Sequence, residues 1–581
     1  MRLAALCRGN RTLTALAVSI ILMIAGTQLL SQQAQPGSIG TEIIQGTVVN
    51  QATGDGIGRA LVFSPDNRYA TLTDGQGHFE FTVPKPKESS DSNGSFVFGQ
   101  RPAVMMRGGP FLGLSARKPG FLEDPYPAGM AEHGTALTLR LIPESIIKGR
   151  IVVSDADAAA GINVELFERQ VQDGALHWVR SQNARANSNG EFRFAELMPG
   201  TYKIMTHEML DTDPVLLAPG AQIYGFPPVC FPSAGDFASG APIQLAAGET
   251  FQADIPLTRQ PYFRVHVPVA NYSEGGVNVY VEAQGRPGPG YELGYNQQTQ
   301  SIEGLLPKGN YLIEATSFGP QSASGSVNLS VAGKSDQNPA LTLVSGLQIP
   351  VNVREEFSSN NWHGSASFGD RGHSVYMQNG PRVYLGVTLQ PVDELAQHGS
   401  ASLRPPASPN DNAMVIAGAE PGRYWVRATT ARGYVASLSS GGVDLLHEPL
   451  TISAGSHAQI DVTMRDDFAK LAATVAGLRK AGISEDRQSA AELPERPAYV
   501  YWVPLPDSPG QFGETPVRSE AEFSTDVAPG TYRVMAFDRP RNSIPYRDAE
   551  AMQAYESQGQ IVHMVPGQTQ NVQLQLITGG N

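Results

Sequence analysis

A five-residue phrase recurs along this chain: Met198-Pro199-Gly200-Thr201-Tyr202, Pro307-Lys308-Gly309-Asn310-Tyr311, Glu420-Pro421-Gly422-Arg423-Tyr424 and Ala528-Pro529-Gly530-Thr531-Tyr532. Its tyrosines stand 109, 113 and 108 residues apart. That period is the length of a small domain, so the chain reads as whole domains in tandem rather than as solenoid repeats. In three copies proline fixes φ at the first central position, and glycine is expected to supply the positive φ of a type II turn at the second. Residues then alternate with period two, as in Tyr202-Ile204-Thr206, Tyr311-Ile313-Ala315, Tyr424-Val426-Ala428 and Tyr532-Val534-Ala536. Such alternation marks a half-buried strand. Apolar residues just upstream, such as Phe192, Phe194 and Leu197, predict a strand that forms a hairpin with it. The tyrosine is placed to bury its ring and return its hydroxyl to the backbone, as in a tyrosine corner.

Regular strands flank the phrase. Opening strands run Ile147-x-Gly149-x-Ile151, Phe263-x-Val265-x-Val267 and Leu347-x-Ile349-x-Val351, and closing strands follow Ala247-Gly248, Ala454-Gly455 and Pro566-Gly567. A diverged fifth copy opens with Ile44-x-Gly46-x-Val48, and its Phe79 precedes Phe192 by 113 residues. There, Leu112-x-Leu114-x-Ala116 takes the place of the tyrosine strand and Leu137-x-Leu139-x-Leu141 closes the unit. The predicted fold is all-β, a tandem array of about five prealbumin-like or Ig-like β-sandwiches after an N-terminal apolar helix. Its units are residues 41–142, 143–258, 259–345, 346–466 and 467–581, behind a segment 1–40. Helix is expected only at Arg547 to Glu556 and Phe468 to Ala481.

Segment 1–40 indicates export. Arg2, Arg8 and Arg11 precede an uncharged, largely apolar run from Leu13 to Leu30, the pattern of a signal peptide. The run is also long enough to anchor the chain in a membrane, and Ala25-Gly26-Thr27 is the best local cleavage match. Ser31 to Gly40 reads as a linker, and only Cys230 remains beyond the signal, so the sandwiches rest on hydrophobic burial without disulfides. The expected location is periplasmic, outer-surface or secreted. A net charge of −13 spread over 581 residues, with no basic stripe, argues against nucleic acid as a partner.

The first unit, Gly46-Thr47-Val48-Val49-Asn50 and Thr73-Asp74-Gly75-Gln76-Gly77-His78-Phe79, resembles a carboxypeptidase regulatory-like domain. The second resembles the same family more strongly, through Asn189-Gly190-Glu191-Phe192-Arg193-Phe194, the Pro199-Gly200-Thr201-Tyr202 phrase, Tyr224-Gly225-Phe226-Pro227-Pro228 and Cys230-Phe231-Pro232. The likeness covers roughly residues 41 to 258, is similar to repeat proteins of bacterial envelopes, and thins to isolated phrases beyond. It implies a transthyretin-like sandwich, grouped by fold with starch-binding-like domains, and carries over no ligand-binding residue. The zinc peptidase domain that accompanies the family's namesake has no counterpart here, since the chain contains neither His-x-x-Glu nor His-Glu-x-x-His. His207-Glu208 and His447-Glu448 are adjacent pairs, expected to be structural.

No catalytic, metal or cofactor site is expected. Asp155, Asp157, Gly161, Asn163 and Glu165 resemble a calcium loop but put Ala160 where an EF-hand needs glycine, so a polar turn is the reading. Lys470 and Asn571, with Glu522 between them, form a weak candidate for an isopeptide bond, since the surrounding glutamate motif is missing. Sugar binding would need ring faces for pyranoses, and Trp178, Tyr224, Phe226, Phe231 and Trp362 are the candidates. The competing role for these rings is to cover loops or inter-domain seams. Three functions stand in order: an exported, non-enzymatic structural or adhesion-type protein of the envelope, presented as a rod or string; a carbohydrate-binding protein; and an enzyme with an unfamiliar site. The partner is an extracellular or envelope protein or polysaccharide.

Overall fold

The computed structural model of the protein describes residues 41–64, 66, 68–84, 114–124, 137–153, 160–211, 213, 218, 220–271, 276–285, 288–317, 323–333, 339–358, 366–370, 373–377, 380–395, 400–406, 408, 411–453, 458–477, 498–517, 523–538 and 544–578. The apolar N-terminal segment, Asp155, Asp157, Trp362 and Glu522 lie outside the described residues.

The described strands form a tandem array of β-sandwich modules with five separate cores. One pairing recurs in all five. The opening strand lies parallel to the closing strand and antiparallel to the strand that precedes the turn. In the first module Thr41–Asn50 joins Leu137–Pro143 and His78–Pro84. In the second, Ser145–Val153 joins Thr250–Gln252, Ile255–Leu257 and Glu191–Leu197. Gln260–Ala270, Leu347–Glu356 and Ala469–Ala476 repeat the arrangement in the remaining three. Parallel neighbours cannot be joined by a tight turn, so each module must close its two sheets through the intervening chain.

The phrase itself makes that crossing, which corrects the expected hairpin. Glu191–Leu197 belongs to the sheet of the opening strand, whereas Gly200–Thr206 pairs with Asn163–Gln172 and Ile243–Leu245 in the facing sheet. Ser301–Pro307 and Gly309–Ser317 part in the same way. At the corner the tyrosine swings under the turn. The hydroxyls of Tyr202, Tyr311 and Tyr532 donate to the carbonyls of Met198, Pro307 and Ala528 at 2.8, 2.9 and 2.7 Å, always four residues back. Tyr424 meets the Glu420 backbone at the corresponding distance in sequence. All four rings are at most 2% exposed.

Of the four corner glycines only Gly530 takes a positive φ, 156°; the other three differ from the expected turn. Gly200, Gly309 and Gly422 do not take a positive φ. A Cβ at each would instead stand 3.4, 3.1 and 3.2 Å from the nearest atom of its own corner tyrosine, two residues on. The ring lies over the glycine because its hydroxyl must reach back four residues. Close approach, and not turn handedness, favours glycine at Gly309 and Gly422, whereas the 3.4 Å at Gly200 is an ordinary contact.

Two helical expectations divide. Asp548 caps a single turn, Ala549–Met552, by accepting the Ala551 N–H, and a 3-10 turn Gln553–Tyr555 follows. Phe468 to Ala481, by contrast, contains the strand Ala469–Ala476, with Ala469, Leu471, Ala473 and Val475 buried at period two. Alanines favour helix locally, but here pairing with the opening-strand neighbours decides.

Candidate functional site

The features that set this molecule apart from a string of independent sandwiches are the seams between modules. The hairpin Asn163–Gln172 and Ala175–Arg185 of the second module carries the largest. Along its flank, the Trp178 N–H donates to the Glu394 carbonyl at 2.7 Å, His177 Nδ1 lies 3.2 Å from the Asp393 carbonyl, and Arg169 pairs with Glu394 at 3.4 Å. At its tip Asp173 meets Arg427 at 2.6 Å and accepts from Gln390, all in the fourth module. Gly174 then meets the fifth: its carbonyl accepts the Arg547 N–H at 2.8 Å. Its positive φ of 80° suits glycine, and a Cβ there would lie 2.4 Å from the Tyr546 ring. The Arg547 guanidinium in turn covers Trp425 of the fourth module at 4.3 Å. The second module thus touches the fourth and fifth as well as its neighbour in sequence.

Beneath the hairpin, Trp178, Phe167, Met205, Cys230 and Phe237 form a small core of their own, against which Leu395 of the fourth module packs. Lys203 is buried in it, 6% exposed. Its ammonium donates to the carbonyls of Phe237 and Ala238 at 2.8 and 3.1 Å and stands 5.1 and 4.9 Å from the Trp178 and Phe237 ring centres. Burial draws the Lys203 pKa down and pushes the Cys230 thiol up to about 11, so that the thiol is protonated and inert at neutral pH.

The second and third modules share backbone. Ile223–Phe226 pairs with Gln260–Ala270, continuing the third module's sheet into the second. Arg259 secures the crossing, with both Nε and Nη2 2.6 Å from Asp211 Oδ2 and its guanidinium 4.1 Å from the Tyr224 ring centre. Alongside lies a buried titratable cluster. Glu165 is 3.0 Å from His207 Nε2 and 3.1 Å from Arg180, while His207 Nδ1 lies 3.7 Å from Glu292 of the third module. Glu208 accepts the Glu292 N–H at 2.7 Å through Oε1. Its Oε2 and the Tyr262 hydroxyl are buried without a well-formed hydrogen bond, close enough to perturb each other. Burial is the main reason that the Glu208 carboxyl is raised to about 8, with the Glu292 charge adding to it.

Smaller clasps complete the set. Thr316 donates to Glu420 at 2.7 Å between the third and fourth modules. Between the fourth and fifth, Gln511 donates to the Val435 carbonyl at 3.0 Å, and His447 lies 2.7 Å from Asp444 through Nδ1 and 2.8 Å from the Ser508 carbonyl through Nε2.

The four aromatic candidates among the described residues are not brought to one place. Trp178 and Phe226 are 4% and 2% exposed, the first in the hairpin seam and the second in the second module's core. A pyranose would reach Trp178 only with that seam parted. Tyr224 and Phe231 are half-buried, Tyr224 beneath Arg259 and Phe231 edge-on to Phe251. Trp362 lies outside the described residues, as do Asp155, Asp157 and Glu522. Lys470 and Asn571 are exposed on the adjacent strands Ala469–Ala476 and Thr569–Ile577, not enclosed in a core as a spontaneous amide bond requires. No group of His, Cys, Asp and Glu among the described residues could hold a metal ion. Sequence reasoning set aside His207-Glu208 and His447-Glu448, yet His207, Glu208 and His447 contribute to seams; their signal was a charged pair next to a strand end.

No protein-family model matches the chain, and no curated protein matches it. Solved structures that share features with it include the TIE protein of Bacillus anthracis (8% identical, 78% of each chain covered, TM-score 0.15). The minor pilin of Streptococcus agalactiae is 12% identical over 37% of this chain and 95% of its own, with a TM-score of 0.17. Two B repeat units of the collagen-binding protein of Staphylococcus aureus are 12% identical over 73% of this chain and 100% of theirs, with a TM-score of 0.11. Overlaps this slight carry no inference about family or role.

Proposed function

We propose that the chain is an exported, non-enzymatic structural or adhesion-type protein of the cell envelope that holds a protein or polysaccharide partner against several modules at once. The observation that carries this reading is the hairpin seam, through which one module binds two others that do not adjoin it in sequence. A body tied in this way presents loops of different modules in fixed register, which favours many weak contacts made together. The export segment of the sequence supports an extracytoplasmic location, with residues 13–30 either removed or retained as an anchor. We infer in addition that the first two modules are carboxypeptidase regulatory-like domains. In both, the opening-strand glycine is crossed by a phenylalanine, Gly46 by Phe79 and Gly149 by Phe192, a pairing supported by register and close approach.

The test is binding of the purified chain to isolated envelope material. The expected result is saturable binding that weakens when Gly174→Val unseats the hairpin while every module stays folded. Equal binding by the variant, or turnover of any polysaccharide or peptide by the purified chain, would overturn it. N-terminal sequencing of the exported protein separates release, with a start between Gln28 and Gln35, from anchoring, with residue Arg2 intact.

Carbohydrate recognition is the second reading. Tyr224 favours it: a half-buried ring flanked by the Arg259–Asp211 pair offers a stacking face beside hydrogen-bonding groups. Glycan-array binding abolished by Tyr224→Ala or Trp362→Ala would establish it, and an empty array would dismiss it.

A further inference from the structure

We propose that the seams joining the second module to the third and the fourth to the fifth are proton-dependent clasps, tight in acid and loosened as pH rises. The inference goes beyond the function above and holds whatever the partner is. Three groups carry it, and each sits where two modules meet.

The first two are histidines whose ring nitrogens both face acceptors. His447, in the fourth module, points Nδ1 at the Asp444 carboxylate (2.7 Å) and Nε2 at the Ser508 carbonyl of the fifth (2.8 Å). Neither partner can donate, so both contacts are hydrogen bonds only when the ring carries two protons. His207 lies between two carboxylates at ion-pair range and not in well-formed hydrogen bonds, Glu165 at 3.0 Å from its own module and Glu292 at 3.7 Å from the next. The groups facing His207 are Glu165, Glu292 and Arg180, and those facing His447 are Asp444, Asp507 and the Ser508 carbonyl.

The third is Glu208, which faces Glu292, Tyr262 and, behind them, Tyr291 and Tyr311. Its Oε1 already accepts the Glu292 N–H, while Oε2 and the Tyr262 hydroxyl are enclosed without a formed bond. A neutral carboxylic acid fits this place: a proton on Oε2 can be donated to the Tyr262 oxygen, leaving Oε1 as the acceptor. An ionised carboxylate would be enclosed beside the Glu292 charge.

The signs agree. The Glu165 carboxylate beside it raises His207, and Asp444 and the Ser508 carbonyl outweigh the effect of burial to raise His447. Each therefore stabilises its seam fully below the ordinary histidine pKa and loses that contribution as pH climbs through the raised value. Glu208, raised to about 8, weakens its seam progressively as pH rises from the ordinary carboxylate range to that value.

Hydrogen exchange on the full chain, at pH 6 and pH 8.5 and corrected for intrinsic chemistry, reads the two seams separately. Peptides spanning Glu208 to Leu210, Gly290 to Asn296 and Asp444 to Glu448 should lose protection at the higher pH. The core strand Ala498–Pro504 should not. Glu208→Gln, a permanently neutral isostere, should shrink the pH response of the 2–3 seam to the part that His207 carries. His447→Gln should make the 4–5 seam equally weak at both. Wild-type protection that is the same at pH 6 and 8.5 overturns the proposal, and so does a Glu208→Gln chain that responds to pH as the wild type does.

Discussion

In each corner, a buried tyrosine returns its hydroxyl four residues along its own chain, and in three of the four its ring lies on the glycine of its own turn. In the seam around Trp178, an indole lies under a lysine of its own module and beside Leu395 of another, held by a main-chain bond to Glu394. Both environments bury aromatic rings. The corners repeat because every contact is local, and a local solution can be copied with the module. The seam occurs once because its contacts depend on which surfaces meet. Corners therefore set whether a module folds, and seams set how modules sit together.

The largest expected effect falls on a corner. Tyr202→Ala removes a ring that is 1% exposed and leaves a cavity, which should cost the second module about 3–5 kcal/mol. Tyr202→Phe removes only the bond to the Met198 carbonyl and should cost about 1 kcal/mol. Denaturant unfolding followed by proteolysis should show the loss confined to that module. A uniform loss over all five would mean that the corners are not independent.

A smaller effect separates two glycines of that module. At Gly149 a Cβ would stand 1.8 Å from the Ala253 carbonyl oxygen, so Gly149→Ala should cost at least about 1–3 kcal/mol. At Gly200 the nearest atom is 3.4 Å away, on Tyr202, and Gly200→Ala should be much milder. Equal losses at the two positions would refute close approach as the reason for glycine at Gly149.

The sequence shows corners and not seams for the same physical reason. Tyrosine spacing, strand alternation and the divergent fifth copy all follow from contacts within about a hundred residues, so tandem sandwiches were legible. The crossing between sheets was misread as a hairpin because a Pro-Gly turn looks alike whether the two strands pair or part. The strand at Ala469–Ala476 was hidden by helix-favouring alanines. The seams left no periodic trace: Asp173 and Arg427, or His177 and Asp393, lie more than two hundred residues apart in modules that do not adjoin.

Seam contacts should have the smallest energies and the largest effect on arrangement. A double-mutant cycle on Asp173 and Arg427, a pair partly open to solvent, should give about 0.2–1 kcal/mol of coupling. Gly174→Ala combines an unfavourable φ with overlap on the Tyr546 ring, and should unseat the tip while leaving module unfolding unchanged. Scattering should then report a more extended chain, whereas unchanged dimensions would mean that the tip contributes nothing to the arrangement.

The most direct measurement is a cross-link across the hairpin seam in the full chain. With cysteine at positions 177 and 393, where the His177 ring lies 3.2 Å from the Asp393 carbonyl, mild oxidation should give an intramolecular disulfide mapped by mass spectrometry. Free thiols, or links formed only between molecules, would contradict a second module seated on the fourth.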